Sequence, residues 1–249
     1  MDRYSKYNKT VILWFDPDKH RYSYTLGDGP AVDVVSVTGV TNLYPKPWLV
    51  PWAVKMTAEW WRENYSTVTD DEVALEAAVK ASKSARWASA DDALKIGDIV
   101  HKYAEAYAMG LEPDMPKNKA AKGCCEQFEQ WWADNQVVPI KAEHKIFSLK
   151  HKYAGTLDLY AEVNGRKAIV DYKSSKVLSP DYFIQNSAYK EALQEEEGEE
   201  IPDRYVVRFD KLGGEMEAVE AREQGYDDKD DFTMFRAMLY MHQWVERKK

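Results

Sequence analysis

The sequence predicts an α/β protein, with a mixed central sheet flanked by helices and a largely helical segment before it. The apolar pattern has period two near the start of the chain and again after residue 136, with a helical period between. Strands and helices then alternate. We expect one domain over residues 1–249, with a β-rich segment at 1–50, a helical segment at 51–136, and a core sheet with a C-terminal helix at 137–249.

Composition narrows the class of protein. Hydrophobic content of 45% and charged content of 31% are ordinary for a soluble globular protein, and no apolar run approaches the roughly 18 residues of a membrane span. From the polar N-terminal residues, no signal peptide is expected. The two cysteines, Cys124 and Cys125, are adjacent and make no disulfide framework, so a reducing cytoplasm is expected. The net charge of −8 argues against a large footprint on duplex DNA and leaves room for a small basic groove.

The elements follow from local signals. "TVILWFDPDKHRYSYTL" predicts two strands around the turn "DPDK", and "VDVVSVTGV" a further β run. Helices are expected at 52–64, 71–89, 90–109 and 117–135. Strands are expected at 137–149, 152–163 and 166–173, and in "RYVVRFD" and "GEMEAVEA". A helix begins at Ser179-Pro180, with serine as N-cap, and another spans 228–247.

The Asn164-Gly165 pair predicts a two-residue hairpin turn. In that register Asp158 lies directly opposite Asp171, with Cβ atoms about 4.5–5.5 Å apart. Opposed like charges destabilise a hairpin, so the pair needs an explanation. One is a divalent cation, Mg²⁺ or Mn²⁺, held by these hard oxygen ligands. The other is a surface salt-bridge cluster in which Lys173 neutralises one acid.

Strand alternation extends the polar face. Lys173 is two residues after Asp171, so the two share a face, and Thr156 lies opposite Lys173. The other face is expected to be apolar, with Leu157, Leu159, Val170 and Tyr172. If Lys150-His151 forms a two-residue turn, Glu143 faces Asp158 and adds a third acid to the row.

Asp158 and the later Asp171-Tyr172-Lys173 resemble the motif of the PD-(D/E)xK nuclease superfamily. "IGDIVHKYAEAY" resembles the helix that carries a metal-binding histidine in its RecB-like branch, at His101. On its own pattern, His101 lies off the apolar stripe of this helix, so a packed or solvated histidine is the alternative.

"FIQNSAYKEAL" resembles the Gln-x-x-x-Tyr helix of the same branch, at Gln185 and Tyr189. "SVTGV", the histidine helix and the hairpin occur in the same order as in the mitochondrial genome maintenance exonuclease and its phage and bacterial relatives. The likeness covers about residues 35–190. Some relatives of this branch hold an iron–sulfur cluster on four cysteines, which this chain lacks.

The resemblance implies a restriction-endonuclease-like core and a metal-dependent DNA exonuclease. The enzyme would act on single-stranded ends during replication, recombination or repair, in the cytoplasm of a bacterium or a phage-infected host. The expected ligands of Mg²⁺ or Mn²⁺ are His101, Asp158, Asp171 and the carbonyl of Tyr172.

The remaining roles complete the expected site. Glu143 would hold a second metal or a metal-bound water. Lys173 would orient the attacking water or stabilise the phosphorane. Gln185 and Tyr189 would border the site and support Lys173 or DNA, and Thr156 is a further candidate for substrate contact.

Three other functions stay open at this point. The same site could serve a structure-specific or flap endonuclease. A DNA-binding scaffold subunit could keep the fold, although every catalytic position is filled. A metal-stabilised structural protein is the third.

Overall fold

The computed structural model describes residues 1–69, 71–211 and 213–248, and it leaves the side chains of 88–93 undescribed. The strands are β1 (Asp2–Lys6), β2 (Val11–Asp16), β3 (Arg21–Leu26), β4 (Val32–Ser36), β5 (Val138–Ser148), β6 (Tyr153–Val163), β7 (Arg166–Lys173), β8 (Asp203–Arg208) and β9 (Glu217–Glu220). The helices are α1 (Val37–Thr41), α2 (Leu49–Asn64), α3 (Glu72–Ala108), α4 (Lys119–Asp134), α5 (Pro180–Glu197) and α6 (Asp228–Glu246).

The chain divides into two compact units. The first is Met1–Tyr44 with Val100–Lys249, and it contains the whole sheet and every candidate site residue. The second is Pro45–Ile99, where the Thr57 hydroxyl of α2 donates to the Ser82 carbonyl of α3 at 3.4 Å. The expectation of one domain over residues 1–249 stays a prediction.

The predicted mixed sheet flanked by helices is confirmed. Its strands lie in the order β1-β2-β3-β4-β6-β7-β8-β9, and β5 pairs with β6 outside this path. The pairs β4–β6 and β7–β8 are parallel, and the other pairs are antiparallel. Within the described residues, no helix is long and apolar enough to cross a membrane.

Strand β6 is the branch point of the sheet. One of its edges pairs with β5 from Tyr153 to Glu162. Since a strand has two edges, β4 and β7 share the other one. There β4 takes Tyr153 and Ala154, and β7 takes residues 159–163. Between these two stretches, residues 155–158 of β6 face a gap between β4 and β7. Thr156 and Asp158 lie at this gap.

The hairpin register predicted from Asn164-Gly165 is confirmed. Both residues have positive φ, +50° and +76°, and Val163 pairs with Arg166. The recorded backbone pairs continue to Leu159–Val170, one step before the two aspartates. The turn therefore sets the alignment of the two acid positions.

The β5–β6 register is also as predicted, but its turn is not. Lys145 pairs with Thr156, and Ser148 pairs with Tyr153. The connection is a four-residue turn over 149–152, rather than a two-residue turn at Lys150-His151. The Lys152 N–H donates to the Ser148 carbonyl at 2.9 Å, and its φ is +59°. Both turns are centred on the same residues, so they give the same register.

Side-chain alternation breaks at the acids, contrary to the prediction. Leu157 and Tyr160 are three residues apart, yet they pack into the same hydrophobic cluster. On the partner strand Glu143 has a φ of +45°, and it lies between the paired residues Ala142 and His144. The register shift of β5 lies elsewhere, between Pro139 and Lys141, so Glu143 leaves the ladder without adding an extra residue to it. The predicted single face with both Leu157 and Leu159 is therefore wrong.

Three other expectations need correction. The helices expected at 71–89 and 90–109 form one continuous helix, α3. The run "SVTGV" is not a strand throughout, because Ser36 caps α1 by accepting the Gly39 N–H at 2.9 Å. Strand β1 was not anticipated. The other predicted strands and helices are found within a few residues of their expected bounds.

Helices α1, α5 and α6 cover one side of the sheet around a shared core. Arg204, on β8, is 1% exposed and connects this layer to the sheet. It donates to the carboxylates of Asp228 (2.5 Å) and Asp231 (2.7 Å) on α6, and to the Phe183 carbonyl on α5 (2.8 Å). Buried ions are tolerated when they are paired in this way.

Arg204→Ala should lower the free energy of unfolding by about 3–5 kcal/mol, because it leaves the buried Asp231 carboxylate without its cation. Urea denaturation monitored by circular dichroism measures this change. Lys122→Ala is the control: its ion pair with Glu126 is exposed, so the loss should stay under about 1 kcal/mol. Similar losses for the two variants would refute the assigned role of Arg204.

Candidate metal centre and active site

Three elements bring His101, Glu143 and Asp158 together. His101 is on the last part of α3, Glu143 is the irregular residue of β5, and Asp158 is on β6. One ligand atom from each lies within 4.8 Å of the others. The imidazole Nδ1 of His101 is 3.4 Å from Oδ1 of Asp158. The predicted proximity of Glu143 to Asp158, and of the histidine helix to both, is therefore present in the structure.

The backbone of β7 holds the Asp158 carboxylate. Its Oδ2 accepts the N–H of Tyr172 at 2.7 Å, across the gap beside β6. The Tyr172 ring packs on the rings of Phe128 (centroids 5.5 Å apart) and Phe209 (5.9 Å), which anchors this part of β7. One oxygen of Asp158 is thus occupied, while the other points to His101.

Asp171 is paired with a cation instead of joining the three-residue group. The carboxylate is 1% exposed, and its Oδ2 lies 2.5 Å from Nζ of Lys173. Nζ also lies 5.1 Å from the centre of the Tyr182 ring. The two carboxylates of the hairpin therefore have different partners, His101 for Asp158 and Lys173 for Asp171.

Gln185 and Tyr189 border Asp171. The Gln185 amide donates to the Tyr189 hydroxyl at 2.8 Å and approaches Oδ1 of Asp171 at 3.5 Å. Both side chains are buried. Gly155 makes this possible, because a Cβ there would lie 2.8 Å from the Tyr189 ring. In this structure the two residues orient the acid, and their expected contact with DNA stays a prediction.

Thr156 has a partner that the sequence did not reveal. Its hydroxyl lies 2.7 Å from the hydroxyl of Tyr22, on β3. Burial, and less strongly the charge of Glu143, raise the pKa of Tyr22 to about 12. The phenol therefore keeps its proton at neutral pH. Only the tertiary arrangement of β3 and β6 places Tyr22 beside the acids, since no spacing along the chain connects them.

The carboxylates titrate differently because their surroundings differ. Burial acts to raise the pKa of Asp158, but His101, Lys173 and the Tyr172 N–H outweigh it and lower the pKa. Burial raises the pKa of Asp171 to about 6, against the opposing effect of Lys173. Burial and the charge of Asp158 raise the pKa of Glu143 to about 7.

The two bases compensate for this negative charge. Burial acts to lower the pKa of His101, but the Asp158 carboxylate overcomes it and raises the pKa to about 9. Burial likewise opposes protonation of Lys173, and the charges of Asp171 and Asp158 raise its pKa. The protons on His101 and Lys173 balance the negative charge of the carboxylates, and a bound metal ion would balance that charge in their place.

The donor set suits a divalent metal ion. One imidazole and two carboxylates converge, and carboxylate oxygens suit Mg²⁺ and Mn²⁺. A second group, His144, Glu196 and Glu197, is also compact. There Nζ of Lys6 lies 2.8 Å from Glu196 and 3.1 Å from His144, so a cation is already in place. Of the groups found among the described residues, the one with His101 is the better candidate.

Comparison with known proteins adds little. No family model and no curated protein matches the sequence. A solved structure from Eubacterium rectale, described as "Putative exonuclease", is 13% identical over 58% of this chain and 64% of that chain, with a TM-score of 0.38. The structure of SSO0001 is 12% identical over 75% of this chain and 84% of that one, with a TM-score of 0.34.

We predict that Mn²⁺ or Mg²⁺ stabilises the wild-type protein and does not stabilise Asp158→Asn. At 100 times its Kd, a ligand adds about 2.7 kcal/mol, which for this size raises Tm by roughly 5–10 °C. Asparagine keeps the side-chain size and can still accept the Tyr172 N–H, so the variant should fold. Differential scanning fluorimetry with and without the metal measures the shift.

Glu197→Gln provides the control for this experiment. Glu197 belongs to the second group and pairs with Lys141 at the surface, so its loss should leave the metal-induced shift unchanged. If Asp158→Asn still showed the full metal-induced rise in Tm, the metal would bind elsewhere. The same would follow if Glu197→Gln lost that rise.

Proposed function

We propose that the protein is a metal-dependent nuclease that hydrolyses phosphodiester bonds of DNA. The observation that carries the proposal is the convergence of His101, Glu143 and Asp158 beside a lysine that is paired with a second buried aspartate. A salt-bridge cluster alone does not explain this arrangement, because surface pairs need neither burial nor an imidazole. The resemblance of the motifs to the RecB-like nuclease branch supports the same reaction.

The metal ion would be held by His101, Glu143 and Asp158. When bound, it would neutralise charge on the scissile phosphate and lower the pKa of a water molecule. The Tyr172 N–H keeps Asp158 in one orientation, as donors behind metal ligands commonly do. Asp171 remains a proposed ligand as well, and its release from Lys173 would free both groups for their roles.

Lys173 is the proposed electrophilic group. Its side chain is 17% exposed, and its charge acts on both Asp158 and Asp171. A point charge there would orient the attacking water or stabilise the charge that develops on phosphate oxygens. Gln185 and Tyr189 would act through Asp171, by fixing the orientation of its carboxylate.

Single-stranded ends are the proposed substrate, in replication, recombination or repair. The resemblance to the mitochondrial exonuclease group supports this choice. The net charge of −8 also favours a small contact area over the broad basic face of a duplex-binding protein. An endonuclease using the same residues is the alternative, and the two differ in their need for a free end.

Lys173→Ala should reduce the rate of DNA cleavage by about 10²-fold or more, the scale of one lost transition-state donor. The metal-induced rise in Tm should survive, because the lysine is not a ligand. Cleavage of end-labelled single-stranded DNA in Mn²⁺ measures the rate. Lys176→Ala, an exposed lysine three residues on, should cleave like the wild type. Equal rates for Lys173→Ala and the wild type would reduce Lys173 to a salt-bridge partner.

Linear single-stranded DNA should be degraded rapidly in Mg²⁺ at low salt, and closed single-stranded circles of the same sequence should be resistant. An exonuclease needs a terminus, whereas base content and phosphate charge are the same in both substrates. Gel electrophoresis of the products distinguishes them. Equal degradation of circle and linear strand would favour the endonuclease and leave the metal site untouched.

A further inference from the structure

A cavity of about 730 Å³ lies in the first unit. Its wall is built from the β2–β3 turn, β3, β4, the β5–β6 turn and the end of α6. The lining residues that matter are five basic side chains, namely His20, Arg21, Lys152, His242 and Arg247. Asp33 and Glu246 are the acids. We call this space the basic cavity.

The cations of the basic cavity share it with Asp33 and Glu246 but are not paired with them. Within residues 1–69, 71–211 and 213–248, none of Arg21, Lys152 and Arg247 forms an ion pair. Lys152 lies over the Tyr24 ring at 5.0 Å, and Arg247 lies 5.9 Å from the Tyr240 ring centre. In a chain of net charge −8, these three cations form a local concentration of positive charge that Asp33 and Glu246 offset in part.

The basic cavity is connected to the acids through one side chain. Tyr22 lines the cavity, and its hydroxyl lies 2.7 Å from that of Thr156. Thr156 precedes Asp158 by two residues, in the gap beside β6. The charge of Glu143 acts on the same phenol. Tyr22 therefore lines the cavity and reaches Thr156, two residues before Asp158 on β6.

We propose that the basic cavity binds the phosphate backbone of a nucleic-acid strand, next to the nucleotide that is hydrolysed. This inference rests on the proposed function, since it assigns the path of its substrate. Arg21 and Arg247 would contact phosphates, as arginine forks do, and Lys152 would add a point charge. Cations without an ion-pair partner give the strand a place to bind, while the acids of the metal-binding group repel its phosphates.

Binding can be measured apart from cleavage. The probe is a fluorescein-labelled 20-nucleotide single-stranded oligodeoxynucleotide, titrated in EDTA and followed by fluorescence anisotropy at several salt concentrations. The test variant is Arg21→Gln/Arg247→Gln, and both arginines are exposed. The control is Arg3→Gln/Lys122→Gln, which removes the same charge from exposed positions outside the cavity.

The test variant should bind about tenfold more weakly at low salt, and its slope of log affinity against log salt should be shallower by about 1.4, for two lost phosphate contacts. The control should match the wild type. Equal binding by test and control variants would overturn the proposal, as would a wild type that does not bind the strand.

Competition with 5′-dAMP and with inorganic phosphate shows whether the basic cavity binds a nucleic-acid strand or a free phosphate. The strand assignment would be overturned if 5′-dAMP or inorganic phosphate bound as tightly as the oligonucleotide and if this binding were lost in the test variant. The nuclease proposal has its own readout. A protein that binds through the cavity but never cleaves in Mn²⁺ would refute the nuclease and keep the cavity. If the wild type cleaves DNA in Mn²⁺ but the test and control variants bind the strand equally well, the nuclease proposal stands and the cavity proposal is refuted.

Discussion

Two aspartates in the middle of a buried hairpin are the constraint on which the rest of the site depends. Asp158 and Asp171 occupy aligned positions of strands that are otherwise packed with apolar side chains. Like charges in such a place are costly unless each has a partner. The fold provides a different one for each, an imidazole from α3 for Asp158 and the ammonium of Lys173 for Asp171. These pairings define the candidate site.

The sheet makes room for these groups by branching. Strands β4 and β7 share one edge of β6 and leave a gap between them. Two hydrogen bonds lie at this gap. One joins the hydroxyls of Thr156 and Tyr22, and the other runs from the Tyr172 N–H to the Asp158 carboxylate. Gly155 lets Tyr189 approach from the helical layer. If β6 and β7 were paired along their whole length, the Tyr172 N–H would bond to the backbone of β6 and could not bind the Asp158 carboxylate.

The sequence predicted the parts of this arrangement that local geometry determines. A two-residue Asn-Gly turn sets a hairpin register, so the alignment of the acids followed from counting along two strands. The irregular backbone at Glu143 did not follow, because nothing in its neighbours demands a positive φ. Strict alternation also failed at Leu157 and Tyr160. The contact of Tyr22 with Thr156 depends on the packing of strands 134 residues apart, which no pattern in one sequence specifies.

Glu143 and Asp158, together with His101, are proposed to hold one cation. Anomalous diffraction from crystals soaked in Mn²⁺ would locate that ion. We expect a peak among the Nδ1 or Nε2 atom of His101 and the carboxylate oxygens of Glu143 and Asp158, at coordination distances of about 2.0–2.3 Å. We expect no peak at His144, Glu196 and Glu197, where Lys6 already provides the positive charge. Anomalous density at the second group alone, or at neither group, would refute the proposed metal site.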